Sequence, residues 1–520
     1  MPEPHVLAFD LGTSGLKAAA VSASGGISAS EVVPLDLQLL PGGGAEQRPE
    51  DWWSAIVSAT RRLFARGAVE PGAVQGIALS SQWAGTVACD SHAKPLRPAL
   101  IWLDARGADE ARRIVGGFPS IDGYGALKVL SWIRKTGGAP SLSGKDPVGH
   151  IAWLKKHEPA THDAASVFLE PKDWVNARLT GRVAASYDSI AVHWVTDNRA
   201  IDKVAYDDGL LALTGLDRRK LPELVPAASL LGTLQPSAAE ELGLATSVKV
   251  FAGAADMHMA AIGAGTTAEF DAHLCLGTSS WLLAHVPFKK TDLSHNMASL
   301  PAAIPGRYLF VNEQETAAAG LRLLVEKWLR LEGPDPFGAA LAEAARVPAG
   351  AKGLSWLPWL HGERSPVDDR AVRGGFVGLS LEHEAGHLVR AVLEGVALNA
   401  RWLMKHLEQN LGRPLQRVTV VGGGARSELW CQVLADVLDR EVRQVEGPQH
   451  ANCRGAALQA LVGLQLIDWS AVPSRVPIAR SFTPAREHRA LYDERFEQLL
   501  LEFRHRRAMA RRFSPMEKSP

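Results

Sequence analysis

The apolar run Val6-Leu-Ala-Phe9 ends on Asp10, a polar turn Gly12-Thr13-Ser14-Gly15 follows, and Leu16 to Val21 is again largely apolar. Short apolar runs on both sides of a tight glycine turn predict a β-hairpin. The same pattern returns in His273–Leu276, Gly277-Thr278-Ser279 and Ser280–Leu283. A recurrence at about half the chain length predicts a duplicated architecture with one such hairpin in each half. Ile77–Ser81 reads as a strand running into the loop Gln82-Trp83, and Lys249–Ala255 as a strand ending on Asp256. A helix lined with small residues is expected from Met257 to Gly265. Leu388, Val389, Val392, Leu393, Val396 and Ala400 recur at helical spacing. Arg417–Val421 is a buried strand that opens into Gly422-Gly423-Gly424-Ala425-Arg426-Ser427, with a helix expected from Glu428 to Leu438. Asp51-Trp52-Trp53 starts a further helix, with Asp51 at its cap or first turn. Loops are expected at 34–49 and 137–147, and a charged helix from Arg486 to Arg512, after Pro484. This mixture of strands and amphipathic helices is an α/β chain.

Its 520 residues suggest two to four domains. The boundary is placed near residue 260, giving an N-terminal unit at 1–259, a second at 260–480 and a charged helical tail at 481–520. The 56 basic and 56 acidic residues cancel, so no nucleic-acid or anionic-membrane partner is expected. The basic tail cluster (Arg504, His505, Arg506, Arg507, Arg511, Arg512) reads as a solvated helix face. Cys89, Cys275, Cys431 and Cys453 are widely spaced and read as packed, reduced thiols. The first residues lack a basic leader pattern, and no run reaches the roughly 18 apolar residues of a membrane span. A soluble, cytoplasmic protein is expected.

The candidate chemistry lies in the turns. Backbone amides and hydroxyls of a glycine-rich hairpin can hold phosphate oxygens, and Asp10 beside them suits an accompanying metal. The Gly422–Gly424 turn lets backbone approach a flat or anionic ligand without Cβ obstruction. It lacks the spacing of a dinucleotide fingerprint, which disfavours a nicotinamide oxidoreductase. Asp256, among Gly253, Ala254, Ala255, Ala260 and Ala261, has room for a ligand. Phosphoryl transfer to an alcohol needs held phosphates, a metal and a carboxylate to take the hydroxyl proton. Asp10 and Asp256 would divide those tasks.

Eight segments together resemble the FGGY-type carbohydrate kinases of the actin-like ATPase superfamily, their xylulokinase branch most. They are Asp10–Lys17, Leu79–Gly85, Trp102–Arg106, Gly253–Asp256, Gly277–Ser280, Trp356–Pro366, Arg390–Gly395 and Gly422–Ser427. The resemblance implies two actin-like (ribonuclease H-like) ATPase domains with a cleft between them, and ATP and Mg2+ as cofactors. It implies Asp256 as catalytic base and Asp10 as the carboxylate near magnesium and the γ-phosphate, both on the metal side. Gly12, Thr13, Ser14, Lys17, Gly277 and Thr278 would serve the phosphates, Gly423, Gly424 and Ser427 the adenosine, and Gly320 would also belong to the nucleotide site. Gln82, Trp83, Ala84, Asp104, Arg106, Met257 and His258 would lie with Asp256 on the sugar side. Glu363 and Arg364 read more as a buried ion pair fixing their turn, and Trp356 and Trp359 as core. The chain departs from the branch where Trp83-Ala84 replaces Met-His, and where Met257 replaces Asn after the aspartate. Asp-x-His, as in Asp256-Met257-His258, also occurs in the ribulokinase branch. His258 is either a substitute sugar contact or a packed helix residue. The expected reaction is ATP-dependent phosphorylation of a primary hydroxyl of a small sugar, D-xylulose to D-xylulose 5-phosphate first. Ribulose, glycerol and erythritol stay open, as do a homodimer and two readings of another class, a non-catalytic sugar sensor and an actin-like ATPase.

Overall fold

A computed structural model describes residues 3–513. The tight turn after Leu11 folds His5–Leu11 (β1) back on Gly15–Ser22 (β2), and Gly12 N–H donates to Gly15 O at 3.0 Å. Ile27–Pro34 (β3) adds antiparallel to β2, and Val74–Ser81 (β4) lies parallel to β1. Leu230–Thr233 (β5) and Lys249–Phe251 (β6) complete the order β5-β6-β4-β1-β2-β3, with Ala254–Ala255 (β7) pairing further along β4.

The second half repeats this plan. Ala272–Leu276 (β8) and Ser280–Val286 (β9) form the hairpin read from the sequence. Around it lie Thr291–Asp292 (β10), Met297–Pro301 (β11), Tyr308–Val311 (β12), Arg417–Val421 (β13), Glu441–Val445 (β14) and Ile478–Phe482 (β15). The order is β10-β11-β12-β9-β8-β13-β14-β15. In both sheets the first hairpin strand is antiparallel to the second and parallel to a later one, β4 or β13. The two lobes are actin-like in architecture.

Helices cover the sheets. Pro49–Ala65 (α1) buries Trp52, Ile56, Ala59 and Leu63 against the first sheet, with Glu50 and Asp51 in its first turn. Pro171–Thr180 (α2) and Tyr187–Ala191 (α3) sit beside the strand that leads to Asp256. Asp256–Gly263 (α4) crosses from one lobe to the other. Ala385–Leu411 (α5) and Glu428–Leu438 (α6) pack together on the second sheet. Ala451–Gly463 (α7) belongs to the second half in sequence yet packs on β1, β4 and α4. That approach needs glycine: a Cβ on Gly455 would stand 1.9 Å from Met259 O, and one on Gly263 1.8 Å from Ala451 O. A shared core of Val6, Ala8, Met259, Ile262, Val421 and Leu461 therefore joins the lobes at the base of the cleft.

Two local expectations change. Residues 38–40 and 44–47, placed in a loop for their glycine content, form a small antiparallel sheet with 99–100. The C-terminal helix starts at Arg489 (α8, Arg489–Phe513) and buries Tyr492, Phe496, Leu499 and Phe503 in the second core. Its charge hides an apolar stripe, and Arg507 pairs with Asp369. The last residues, expected to fray, lie outside the described residues. All four cysteines are free and buried, and no helix among the described residues is long and apolar enough to cross a membrane.

Candidate active site

Asp10 is the last residue but one of β1 and is almost wholly buried. Its Oδ1 accepts from Ser80 Oγ at 2.9 Å and Asn452 Nδ2 at 3.1 Å, and its Oδ2 from Lys17 Nζ at 3.2 Å. The register Asp10↔Lys17 across the hairpin brings the lysine there, and the Asp10 charge raises the Lys17 pKa. Asn452 opens α7, so the two halves of the chain meet on one carboxylate.

Asp256 is the first residue of α4, where β7 ends beside Ser81 of β4. Gly253 makes the preceding bend: its φ is +70°, and a Cβ there would stand 2.1 Å from Leu79 O. The carboxylate accepts Met257 N–H at 2.8 Å. Burial first, and then the charge of Asp10, push the Asp256 pKa up to about 7. The two carboxylates are thus electrostatic neighbours. A group poised near neutrality beside a second carboxylate suits general-base work.

The two hairpin turns present their tips outward. Ser14 and Thr278 are exposed, and Gly12, Thr13 and Gly277 half-buried. The Thr13 hydroxyl is fully engaged: it accepts Trp102 Nε1–H at 2.8 Å and donates to Gln82 Oε1 at 3.2 Å. What remains for a ligand at Thr13 is backbone. In the second turn, Gly277 O and Thr278 O accept from Ala318 N–H and Ala317 N–H at 3.0 and 2.9 Å. Gly320 is buried against Trp356, whose ring would lie 3.4 Å from an added Cβ.

The glycine triplet divides by position. Gly422 has φ +93°, and its Cβ would stand 2.7 Å from Leu276 O; Gly424 is closed in by Leu276 and Trp430 at 3.0 Å. Gly423 alone opens outward, with nothing within 4 Å of an added Cβ. Ser427 caps α6, its Oγ accepting Trp430 N–H at 3.1 Å.

The expected sugar-side residues also divide. Gln82 is buried and holds the hairpin, donating Nε2–H to Gln47 Oε1 at 2.7 Å. Asp104 is fully buried and accepts Ala45 N–H at 2.9 Å and the guanidinium of Arg106 at 2.6 Å. Arg106 also reaches Glu46 and lies 4.2 Å over the Trp153 ring. Asp104 and Arg106 therefore brace the small 44–47 strand, with no free polar atom aimed outward from the carboxylate. Trp83 and Ala84 are half-buried at a loop tip, Ala84 with φ +62°. Trp83 Nε1–H donates to Ser189 O at 3.1 Å, and its ring stands edge-on to His258 with centroids 5.3 Å apart. His258 is fully buried; its Nε2 faces Pro301 O at 3.0 Å and so donates, while Nδ1 has no partner. Burial lowers its pKa. Met257 packs with Leu283 and Leu309.

Ser80, Asn452 and Glu313 have no place in the sequence reading. Glu313 pairs with Arg364, and its charge reaches Asp256. Glu363 and Arg364 do not form the expected ion pair: the Arg364 guanidinium pairs with Glu313 and Glu315, while buried Glu363 receives Glu315 N–H, Arg364 N–H and Asn399 Nδ2–H at 2.8, 2.9 and 2.7 Å, which fixes the turn. Trp356 and Trp359 are core.

Donor chemistry fits a magnesium nucleotide. Magnesium takes one or two carboxylates and completes its shell with phosphate oxygens and water. Asp10 and Asp256 are such a pair, and the described residues hold no group of three or more ligating side chains. Gly423 leaves room for a flat ligand.

Like-built lobes, one glycine hairpin in each, and two carboxylates at neighbouring strand ends of the first sheet define an actin-like architecture. The N-terminal domain model of the FGGY family of carbohydrate kinases matches residues 5–263, and the C-terminal domain model residues 272–464. The chain belongs to the FGGY family of carbohydrate kinases and is a sugar kinase; kinases of this family use ATP. It is 30% identical to a xylulose kinase of Staphylococcus epidermidis over 95% of each chain. It is 25% identical to a gluconokinase of Bacillus subtilis over 94% of each. The crystal structure of a xylulose kinase from Rhodospirillum rubrum superposes with TM-score 0.83 at 26% identity, covering 98% of this chain and all of that one.

Proposed function

We propose that this kinase phosphorylates a primary hydroxyl of a small ketose, D-xylulose first, in the cytoplasm, with Asp256 as general base. One observation carries the reading: Asp10 on β1 and Asp256 just after β7 stand at strand ends on either side of β4, and the charge of Asp10 adds to burial in pushing the Asp256 pKa up to about 7. The identity to xylulose kinases over nearly the whole chain supports the substrate, and the gluconokinase likeness keeps other acceptors in the test.

Bound ATP with magnesium supplies the electrophilic phosphoryl group. Asp256 takes the proton from the sugar hydroxyl, and its raised pKa matches that task near neutral pH. Asp10 and Asp256 face the metal side, and Ser80, Lys17 and Asn452 keep the Asp10 oxygens in place. Gly12 closes the first turn through its N–H to Gly15 O, backbone amides at Thr13, Ser14, Gly277 and Thr278 hold phosphate oxygens, and Gly423 lets the adenosine close. Trp83, Ala84 and Met257 offer the sugar an apolar wall, while Gln82, Asp104 and Arg106 act from behind it. Such a wall discriminates between hydroxyl patterns less sharply than one built from polar side chains.

The test is a coupled ADP-release screen with Mg-ATP against pentuloses, gluconate, polyols and glycerol. Turnover strongest on D-xylulose supports the full reading. Turnover on another acceptor moves the substrate and keeps the chemistry. Sugar binding without ADP release would make the chain a sensor.

A further inference from the structure

The loop carrying Trp83 and the strand carrying Asp256 come from different parts of the chain, yet both are tied to α2 and α3. Gly85 N–H donates to Glu170 Oε2 at 2.9 Å, and Trp83 Nε1–H to Ser189 O at 3.1 Å. On the other side, Lys172 Nζ and Asn176 Nδ2 donate to Ala252 O at 3.0 and 2.8 Å. Ala255 N–H donates to Asp188 Oδ2 at 2.8 Å. The two helices are joined to each other: Ser189 Oγ donates to Asp173 Oδ2 at 2.6 Å, and Lys172 pairs with Asp173. Glu170, Lys172, Asp173, Asn176, Asp188 and Ser189 are all buried.

The segment 252–255 is thus held at both ends. Ala252 is clamped by two donors and Ala255 by one acceptor, with the left-handed Gly253 between them. Only one peptide separates Ala255 N from the backbone of Asp256. A buried amide that loses its acceptor seeks another, and the strand end would rotate to find one. Asp188 Oδ1 has no partner of its own, so the known occupation of this fully buried carboxylate is the Ala255 amide.

We infer that Asp188 is the positioning residue that sets the direction of Asp256, through the Ala255 N–H, relative to the sugar loop held by the same two helices. The inference rests on Asp256 being the base. Asp188 touches neither sugar nor nucleotide; it acts through the backbone of its neighbour's strand.

The experiment compares Asp188→Ala, Asp188→Asn and Asp256→Asn, with kcat taken per ATP-binding site counted by titration. Asp188→Ala removes the acceptor and should lower kcat by about 10- to 100-fold, the scale of a small misplacement of a reacting group. The ATP KM should stay at the wild-type value. Asp188→Asn keeps a carbonyl oxygen for the Ala255 amide and should restore kcat to within about threefold of wild type. A wild-type kcat in Asp188→Ala overturns the inference. So does an Asp188→Asn enzyme that binds ATP at full stoichiometry yet is as slow as expected for the alanine variant, and this second result needs no folded alanine variant. Asp256→Asn reads the underlying assignment separately: full turnover there removes Asp256 as base, whatever the Asp188 variants do.

Discussion

Replacing Asp256 by asparagine should make the enzyme more stable as it makes it inactive. An aspartate in the unfolded chain ionises near 3.8, and in the fold Asp256 ionises near 7. Below the lower value both states are protonated and the group contributes nothing. Between the two, the unfolded chain loses its proton while the folded one keeps it, so stability falls as pH rises. Above about 7 both are ionised and the loss is complete. The full shift corresponds to about 4 kcal/mol. Water reaches the half-buried side chain, and screening leaves about half, ~2 kcal/mol. Asparagine carries no charge near Asp10 and keeps the oxygen that accepts Met257 N–H, so the variant recovers this amount.

In the nucleotide-free protein, ~2 kcal/mol in a lobe of this size is a rise in Tm of about 5 °C. The assay is thermal unfolding of wild type and Asp256→Asn at pH 8 and pH 5. At pH 8 the variant should melt about 5 °C higher. At pH 5 only part of the titration has occurred, and the gap should shrink to about 2 °C. A variant that melts at or below wild type at pH 8, or a gap that does not narrow at pH 5, would refute the electrostatic account of this carboxylate.

The same ionisation predicts that kcat/KM for the sugar rises with pH as the base deprotonates, with bound magnesium moving the rise below the metal-free value of about 7; a kcat/KM that falls from pH 5.5 to 7 would remove Asp256 from that role. Gly423→Ala should leave Tm unchanged and raise the ATP KM several-fold, since its added methyl meets only the open side of the turn. Gly422→Ala should lower Tm instead, because φ is +93° and the methyl meets Leu276 O; equal effects of the two would deny the turn its two faces. The double change Trp83→Met, Ala84→His should raise kcat/KM on D-xylulose by about tenfold or more, measured by ADP release. Histidine tolerates the left-handed φ of +62° at position 84 better than most residues, so an unchanged value would mean that the loop does not select the sugar.

The two hairpins were legible because their signal is local: an apolar run, a glycine turn and a second run determine the pairing Asp10↔Lys17 and the copy at Leu276↔Ser280 without help from distant residues. The Gly422 bend, the β13 strand and the α6 helix were legible for the same reason. The partners of Asp10 were not. Asn452 lies 442 residues away and reaches Asp10 only because Gly455 and Gly263 let α7 and α4 approach at backbone distance. Nothing in the pattern of Asn452-Cys453-Arg454 announces that contact. The polar residues of the Gln82 and Asp104 segments illustrate the complementary difficulty. Their motifs point to the sugar side, but whether a polar atom faces a ligand depends on what else claims it. Gln82 is claimed by Gln47 and Thr13, Asp104 by Ala45 and Arg106, and His258 Nε2 by Pro301. Once those claims are met, Trp83 and Ala84 remain half-buried at the loop tip, and on the proposed reading selectivity there comes from shape and apolar contact more than from hydrogen bonds. The Nδ1 of His258 has no partner and its ring stands edge-on to Trp83, so Trp83→Met changes the surroundings of that nitrogen as well as the loop.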